Sequence, residues 1–228
     1  MPAALKATFS EEGSALERYA ARLPATEINS SFYRPHRRST YERWAASVPD
    51  AFRFAVKVPK LVTHVHGLVD IEAPLARFLD EVAGLEDKLG VLLVQLPPKL
   101  AFDARVATAF FQRLREARAV CEPRHASWFT ERADTLLRDL RVARVAADPA
   151  PVPAAARPGG FLGLEYHRLH GSPRRYWSSY EPAYLEALAS RFASADVETW
   201  CIFDNTAAGA ALDNALALQR LVSPASVR

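Results

Sequence analysis

The chain has 228 residues, of which 50% are hydrophobic and 24% charged, a balance that fits one folded domain and excludes a disordered or fibrous protein. Its 29 Lys and Arg stand interspersed among 26 Asp and Glu, so the formal net charge of +3 permits a nucleic-acid partner without arguing for one. No apolar run approaches the roughly 18 residues that span a bilayer; residues 1–13 lack a signal-peptide pattern, and Cys121 and Cys201 sit in apolar runs that read as buried strands, so no membrane role and a reducing, cytoplasmic setting are expected.

Ser14-Ala15-Leu16-Glu17 has the form of a capping box, and Leu16, Tyr19, Ala20 and Leu23 follow at helical spacing, which predicts a first helix ending near Pro24. A short strand, 26–30, comes next. Ser39-Thr40-Tyr41-Glu42 repeats the box and opens a second helix that Pro49 stops. The pattern then runs strand 52–58, helix 73–87, strand 91–96, helix 104–118, strand 119–122, helix 131–140 and strand 142–147. Residues 148–160, rich in Pro and Ala without a helical period, read as an extended crossover loop. Strand 162–169, helix 182–193, strand 199–203 and helix 208–222 complete the chain.

This alternation predicts an α/β fold: a TIM-like β/α barrel of parallel strands, one domain over residues 1–228. Seven strands are visible where such a barrel has eight, and the residues before Ser14 contain no convincing one, so the first strand is read as missing or degenerate.

Parallel α/β folds deliver the C-terminal ends of their strands to the ligand, so polar residues that close apolar strands are informative. Here they are Glu27 with Asn29, Lys57, Gln95, Glu122 with Arg124, Asp148, Arg168 with His170, and Asp204-Asn205. Strand alternation puts Glu27 with Asn29, Glu122 with Arg124, and Arg168 with His170 on common faces, aimed into one mouth. Lys57, Arg124 and Arg168 suit a phosphate or carboxylate, while Glu27, Glu122, Asp148 and His170 supply acid, base or metal-ligand chemistry. The plain alternative is a set of structural ion pairs, Glu122 with Arg124 or Arg168.

The six histidines match neither a zinc finger nor an HExxH helix, so a divalent metal is permitted and not indicated. His64 and His66 follow Pro59 in what reads as a solvated loop. Tyr33, Trp128, Tyr166, Tyr176, Trp177 and Tyr180 fall near strand ends beside arginines, where they either stack bases or sugars or pack over the mouth. No Gly-rich phosphate loop, GxSxG elbow or Cys-His pair is present.

Several stretches in order resemble the YecE-like family, the domain of unknown function 72: residues 27–33 (EINSSFY), 54–59 (FAVKVP) with Thr63-His64, and 89–98 (LGVLLVQLPP). Further marks are 122–129 (EPRHASWF), 166–171 (YHRLHG) with Tyr176 and Tyr180, and 203–206 (FDNT) leading to Gly209 and Asn214. The resemblance implies a TIM-barrel-like fold, and the residues expected to contact the substrate are Asn29, Tyr33, Lys57, Gln95, Arg124, His125, Trp128, Arg168, Tyr176, Tyr180 and Asn205. Members of the family begin with a strand and a Gly-Trp motif before the first helix, and neither is found here. The expectation is a barrel that binds, and in one reading hydrolyses, a phosphate-bearing small molecule at its C-terminal mouth; the alternative is a non-catalytic protein that holds nucleic acid or a phosphorylated metabolite.

Overall fold

A computed structural model describes residues 12–222. Helix α1 (Ala15–Ala20) opens with the expected capping box, the Ser14 hydroxyl accepting from Glu17 N and the Glu17 carboxylate accepting from Ser14 N at 2.6 Å. Strand β1 (Ala25–Ile28) runs into a single helical turn, α2 (Ser30–Tyr33), and then α3 (Arg38–Ala46). The second capping box does not form: α3 begins one residue ahead of Ser39, and Glu42 pairs with Arg38 at 3.2 Å. After β2 (Arg53–Lys57) the expected histidine loop is a π-helical turn, Leu61–Val65. The predicted helix 73–87 divides into α4 (Glu72–Val82) and a 3-10 segment, where Gly84 packs so closely on α3 that a Cβ would lie 2.7 Å from the Arg38 carbonyl oxygen. Then come β3 (Leu89–Gln95), α5 (Ala104–Gln112) capped by Asp103, β4 (Ala119–Glu122) and α6 (Glu131–Asp139) capped by Thr130.

The predicted strand 142–147 is two strands. β5 (Ala143–Arg144) pairs with β4, Val145 N still donates to Cys121 O at 2.8 Å, and β6 (Ala146–Asp148) then pairs with β8 (Leu164–Leu169) in a different sheet. The Pro- and Ala-rich stretch holds a 3-10 turn and the two-residue β7 (Gly159–Gly160), antiparallel to β5. Helix α7 (Pro182–Ala193), strand β9 (Glu198–Phe203) and helix α8 (Ala210–Val222) follow. One sheet has the order β1-β2-β3-β4-β5-β7 and the other β6-β8-β9, all parallel except β7. The fold is therefore mixed α/β with mostly parallel sheet. Among the described residues no sheet closes, β1 and β9 are edge strands, and the expectation about a first strand falls on residues before Ser14 that lie largely outside the described ones. A cleft of about 610 Å³ runs between these two edges, lined by Ala25, Glu27, Trp200, Ile202 and Asp204 among others.

Alternation along each strand separates two cores. Phe54 and Val56 of β2, Leu92 and Val94 of β3 and Cys121 of β4 join Phe78, Phe110 and Leu137 of α4, α5 and α6. The opposite face, Ala55, Val91, Leu93, Val120, Ala143, Val145, Leu164, Tyr166 and Trp200, forms one apolar cluster fed by both sheets. Leu169, Cys201 and Phe203 face α7 and α8. Burial pushes both thiols above their usual range, and neither cysteine is bridged. No helix among the described residues is long and apolar enough to cross a membrane.

Candidate functional site

The period of two that places Ala25, Ala55, Leu93, Val120, Tyr166 and Ile202 on the inner face brings Glu27, Lys57, Gln95, Glu122, Arg168 and Asp204 to its C-terminal rim. Arg168 is the centre of the cluster. Its Nε and Nη2 donate to the two oxygens of Glu27 at 3.1 and 2.7 Å, Nη1 donates to Glu122 Oε2 at 2.5 Å, and Nη2 also reaches Asp204 Oδ2 at 3.3 Å. Both side chains of the Arg168–Glu27 pair are 1% exposed. Glu27 also accepts from Tyr166 OH and from Asn29 Nδ2, each at 2.8 Å, although Asn29 lies beyond β1, at the start of α2. Glu122 Oε1 accepts from Arg124 Nη2 at 2.6 Å.

Burial alone would raise the Glu122 carboxyl, but Arg168, with His170 and Arg124, holds it well below the usual range. Asp204 follows the same logic: burial opposes ionisation, and the His170 hydrogen bond and Arg168 more than offset it. Burial, aided by the Glu27 charge, pushes the Tyr166 phenol well up, so it stays a donor. His170 Nδ1 sits 3.1 Å from Asp204 Oδ2, and a carboxylate there keeps a proton on that nitrogen. His170 Nε2 is buried without a hydrogen-bond partner, 3.5 Å from Glu122 Oε1.

Lys57 is the contrasting cation. The residue is 7% exposed, its Nζ stands 4.1 Å above the Phe32 ring, and it has no hydrogen bond or ion pair among the described residues. Ser31 fixes that arrangement by donating to Lys57 O at 2.7 Å and Ile28 O at 3.1 Å, which ties α2 to the end of β2. Burial, then Arg168, pull the ammonium down to about 8 against Glu122, Glu27 and Asp204. Phe32 also meets His64 edge-on, ring centroids 4.9 Å apart. His64 is lowered to about 4 by burial and then by Lys57, Lys60, Arg124 and Lys99.

The remaining expected residues are placed apart from this cluster or support it. Asp148 closes β6 and accepts from Tyr180 OH at 2.7 Å, beside a second concavity with Ser172 and Glu181. Gln95 is in register with Glu122 and half-buried. His125 caps the turn Ala126–Trp128 by accepting from Ser127 N at 3.2 Å. Trp128 belongs to the core, its Nε1 donating to Leu100 O at 3.0 Å. Asn205 is buried and donates to Ser178 O and Asn214 Oδ1, both at 2.9 Å. Tyr33 is 78% exposed, and Tyr176, at a φ of 69°, lies edge-on to His170 at 5.8 Å. The sequence reads His64 as a solvated loop histidine and gives Phe32 and Asp204 no role. Asp204 was visible as a strand-closing carboxylate; His64 was hidden because a π-helical turn leaves no periodic signal.

As a metal site the residues do not fit: among the described residues no three His, Cys, Asp or Glu side chains converge on one point. The guanidinium of Arg168 fills the space between Glu27, Glu122 and Asp204 that a cation would need.

No curated protein matches this chain. A crystal structure of a DUF72 family protein from Enterococcus faecalis V583 is similar, with a TM-score of 0.79 and 23% identity over 93% of this chain and 89% of that one. One from Thermotoga maritima MSB8 gives 0.73 and 23% over 93% and 92%. At that identity the likeness speaks for the fold alone. The family described as "Protein of unknown function DUF72" matches residues 6–227, and the chain belongs to that family, the YecE-like proteins.

Proposed function

We propose that the strand ends form the mouth of a TIM-like barrel that binds a phosphate-bearing anion against Lys57, His64 and Arg124. The observation that carries this reading is the group of four cations, Lys57, Lys60, Lys99 and Arg124, whose charges bear on the half-buried His64, Arg124 being the one that is also paired with Glu122. Support for the barrel comes from the apolar cluster shared by both sheets and from the bonds that tie Glu27 on β1 to Tyr166 and Arg168 on β8. Arg168 is a strut, since its guanidinium is spent on three carboxylates; the anion falls to Lys57 and to Arg124, whose side chain is 13% exposed. If turnover accompanies binding, the base with the best support is His170, oriented by Asp204 and with Nε2 making no hydrogen bond, 3.5 Å from Glu122; the oxygens of Glu27 and Glu122 are already occupied.

Calorimetric titration with inorganic phosphate and with a sugar phosphate tests this. Saturable binding that weakens about tenfold or more in Arg124→Ala supports it, since a lost charge-assisted hydrogen bond is worth about 1.5–3 kcal/mol. A shallow salt dependence fits one phosphate, whereas steep dependence with oligonucleotides would transfer the site to nucleic acid. No binding of either phosphate or oligonucleotide sinks the reading.

A further inference from the structure

We propose that Lys57 is a nucleophilic amine that captures an aldehyde or ketone carrying an anionic group and holds it as an imine. This rests on the anion-binding reading and names its substrate class. Arg168 is spent on Glu27, Glu122 and Asp204, and Arg124 donates to Glu122. Lys57 Nζ alone among the three has no carboxylate and no hydrogen bond among the described residues, although its residue is 7% exposed. An amine built only to attract anions works best solvated and fully charged. Here burial and a neighbouring guanidinium disfavour the ammonium, the two conditions that make a lysine nucleophilic. An amine near 8 is about one-tenth free base at neutral pH, against less than about one part in a thousand for an ordinary lysine.

The position suits the chemistry. Lys57 closes β2 on the inner rim, Arg124 and the His64 side offer a seat for a phosphate or carboxylate tail, and the Asp204–His170 pair stands on the same rim as a proton carrier. In the step, the Nζ lone pair attacks the carbonyl carbon and the C=O π pair moves to oxygen, which takes up the proton that Nζ releases. The carbinolamine then loses water as the nitrogen lone pair forms the C=N bond. Amine and carbonyl give imine and water, with no change of oxidation state.

The test uses the full chain with glyceraldehyde 3-phosphate, pyruvate and, as an uncharged control, propionaldehyde, each with cyanoborohydride, followed by proteolysis and mass spectrometry. The chain has five lysines, so every site can be scored. The expected result is a reduced adduct at Lys57 exceeding that at each of Lys60, Lys88 and Lys99 by about tenfold or more at pH 7. It should saturate with the anionic carbonyls and be suppressed by inorganic phosphate. Adducts spread evenly over the lysines, or none at Lys57 in a protein that binds phosphate by calorimetry, would overturn the imine. Trapping of propionaldehyde at Lys57 without phosphate binding or competition would keep the amine and discard the anion seat. Lys57→Met should abolish the adduct, and its circular dichroism establishes that the variant is folded.

Discussion

A single guanidinium serves three carboxylates at the rim, and its removal leaves Glu27 buried with only the neutral donors Tyr166 and Asn29, and Glu122 with Arg124 in place of two guanidinium partners. Arg168→Ala should therefore cost about 3–5 kcal/mol, read by urea unfolding. Lysine cannot span the same fork, so Arg168→Lys should recover little of it. Lys57 behaves oppositely. Its pKa falls from 10.5 to about 8 on folding, so the unfolded chain binds the proton more tightly between those values. Stability contributed at this position consequently rises with pH from about 8 toward 10.5, and below 8 the buried charge is a burden. Lys57→Met should be at least as stable as the parent at pH 7, with the difference closing over that alkaline window. The charged residues of the rim were legible in the sequence because each ends an apolar strand; their pairing was not, because it depends on which strand ends meet. Trp128 shows the limit: a tryptophan that lines a site and a tryptophan in the core look the same in one dimension.

At the level of elements, the helices and strands followed from caps and periodicity, and the departures have local causes. Gly84 lets α3 and the 3-10 segment touch, which ends the helix that the apolar spacing alone would continue. Gly90 marks the irregularity in β2–β3 pairing, where a Cβ would lie 2.6 Å from the Trp200 ring and 3.3 Å from Arg53 Cβ. Gly90→Ala should overpack the inner face and cost roughly 1–3 kcal/mol, measurable as a lowered unfolding midpoint. The split of 142–147 was not legible, because Ala143 through Asp148 is one extended stretch whose two halves simply find different partners. Arg144 guards that junction: it is buried against Asp134 at 2.8 Å and fills the space above Gly159, so Arg144→Ala should destabilise by on the order of 3 kcal/mol in the same assay.

Across the whole molecule, two sheets share one inner cluster and one continuous strand segment, which argues that neither unfolds alone. Far-UV circular dichroism and tryptophan fluorescence should report coincident transitions, and separated midpoints would show two independent halves. Between β1 and β8, strands of different sheets, the bonds are made by side chains: Glu27 holds Tyr166 and Arg168. Glu122 and Asp204, both with lowered pKa values, belong to the same lattice, and their contribution is complete above the ordinary carboxylate range near 4 and is lost as pH falls through their lower folded values. In mechanical terms the molecule is buckled at this rim and laced elsewhere. Backbone lacing gives way only with the core, while a buckle of carboxylates and guanidinium can be sprung by protons, so the rim is where acid would first loosen the protein.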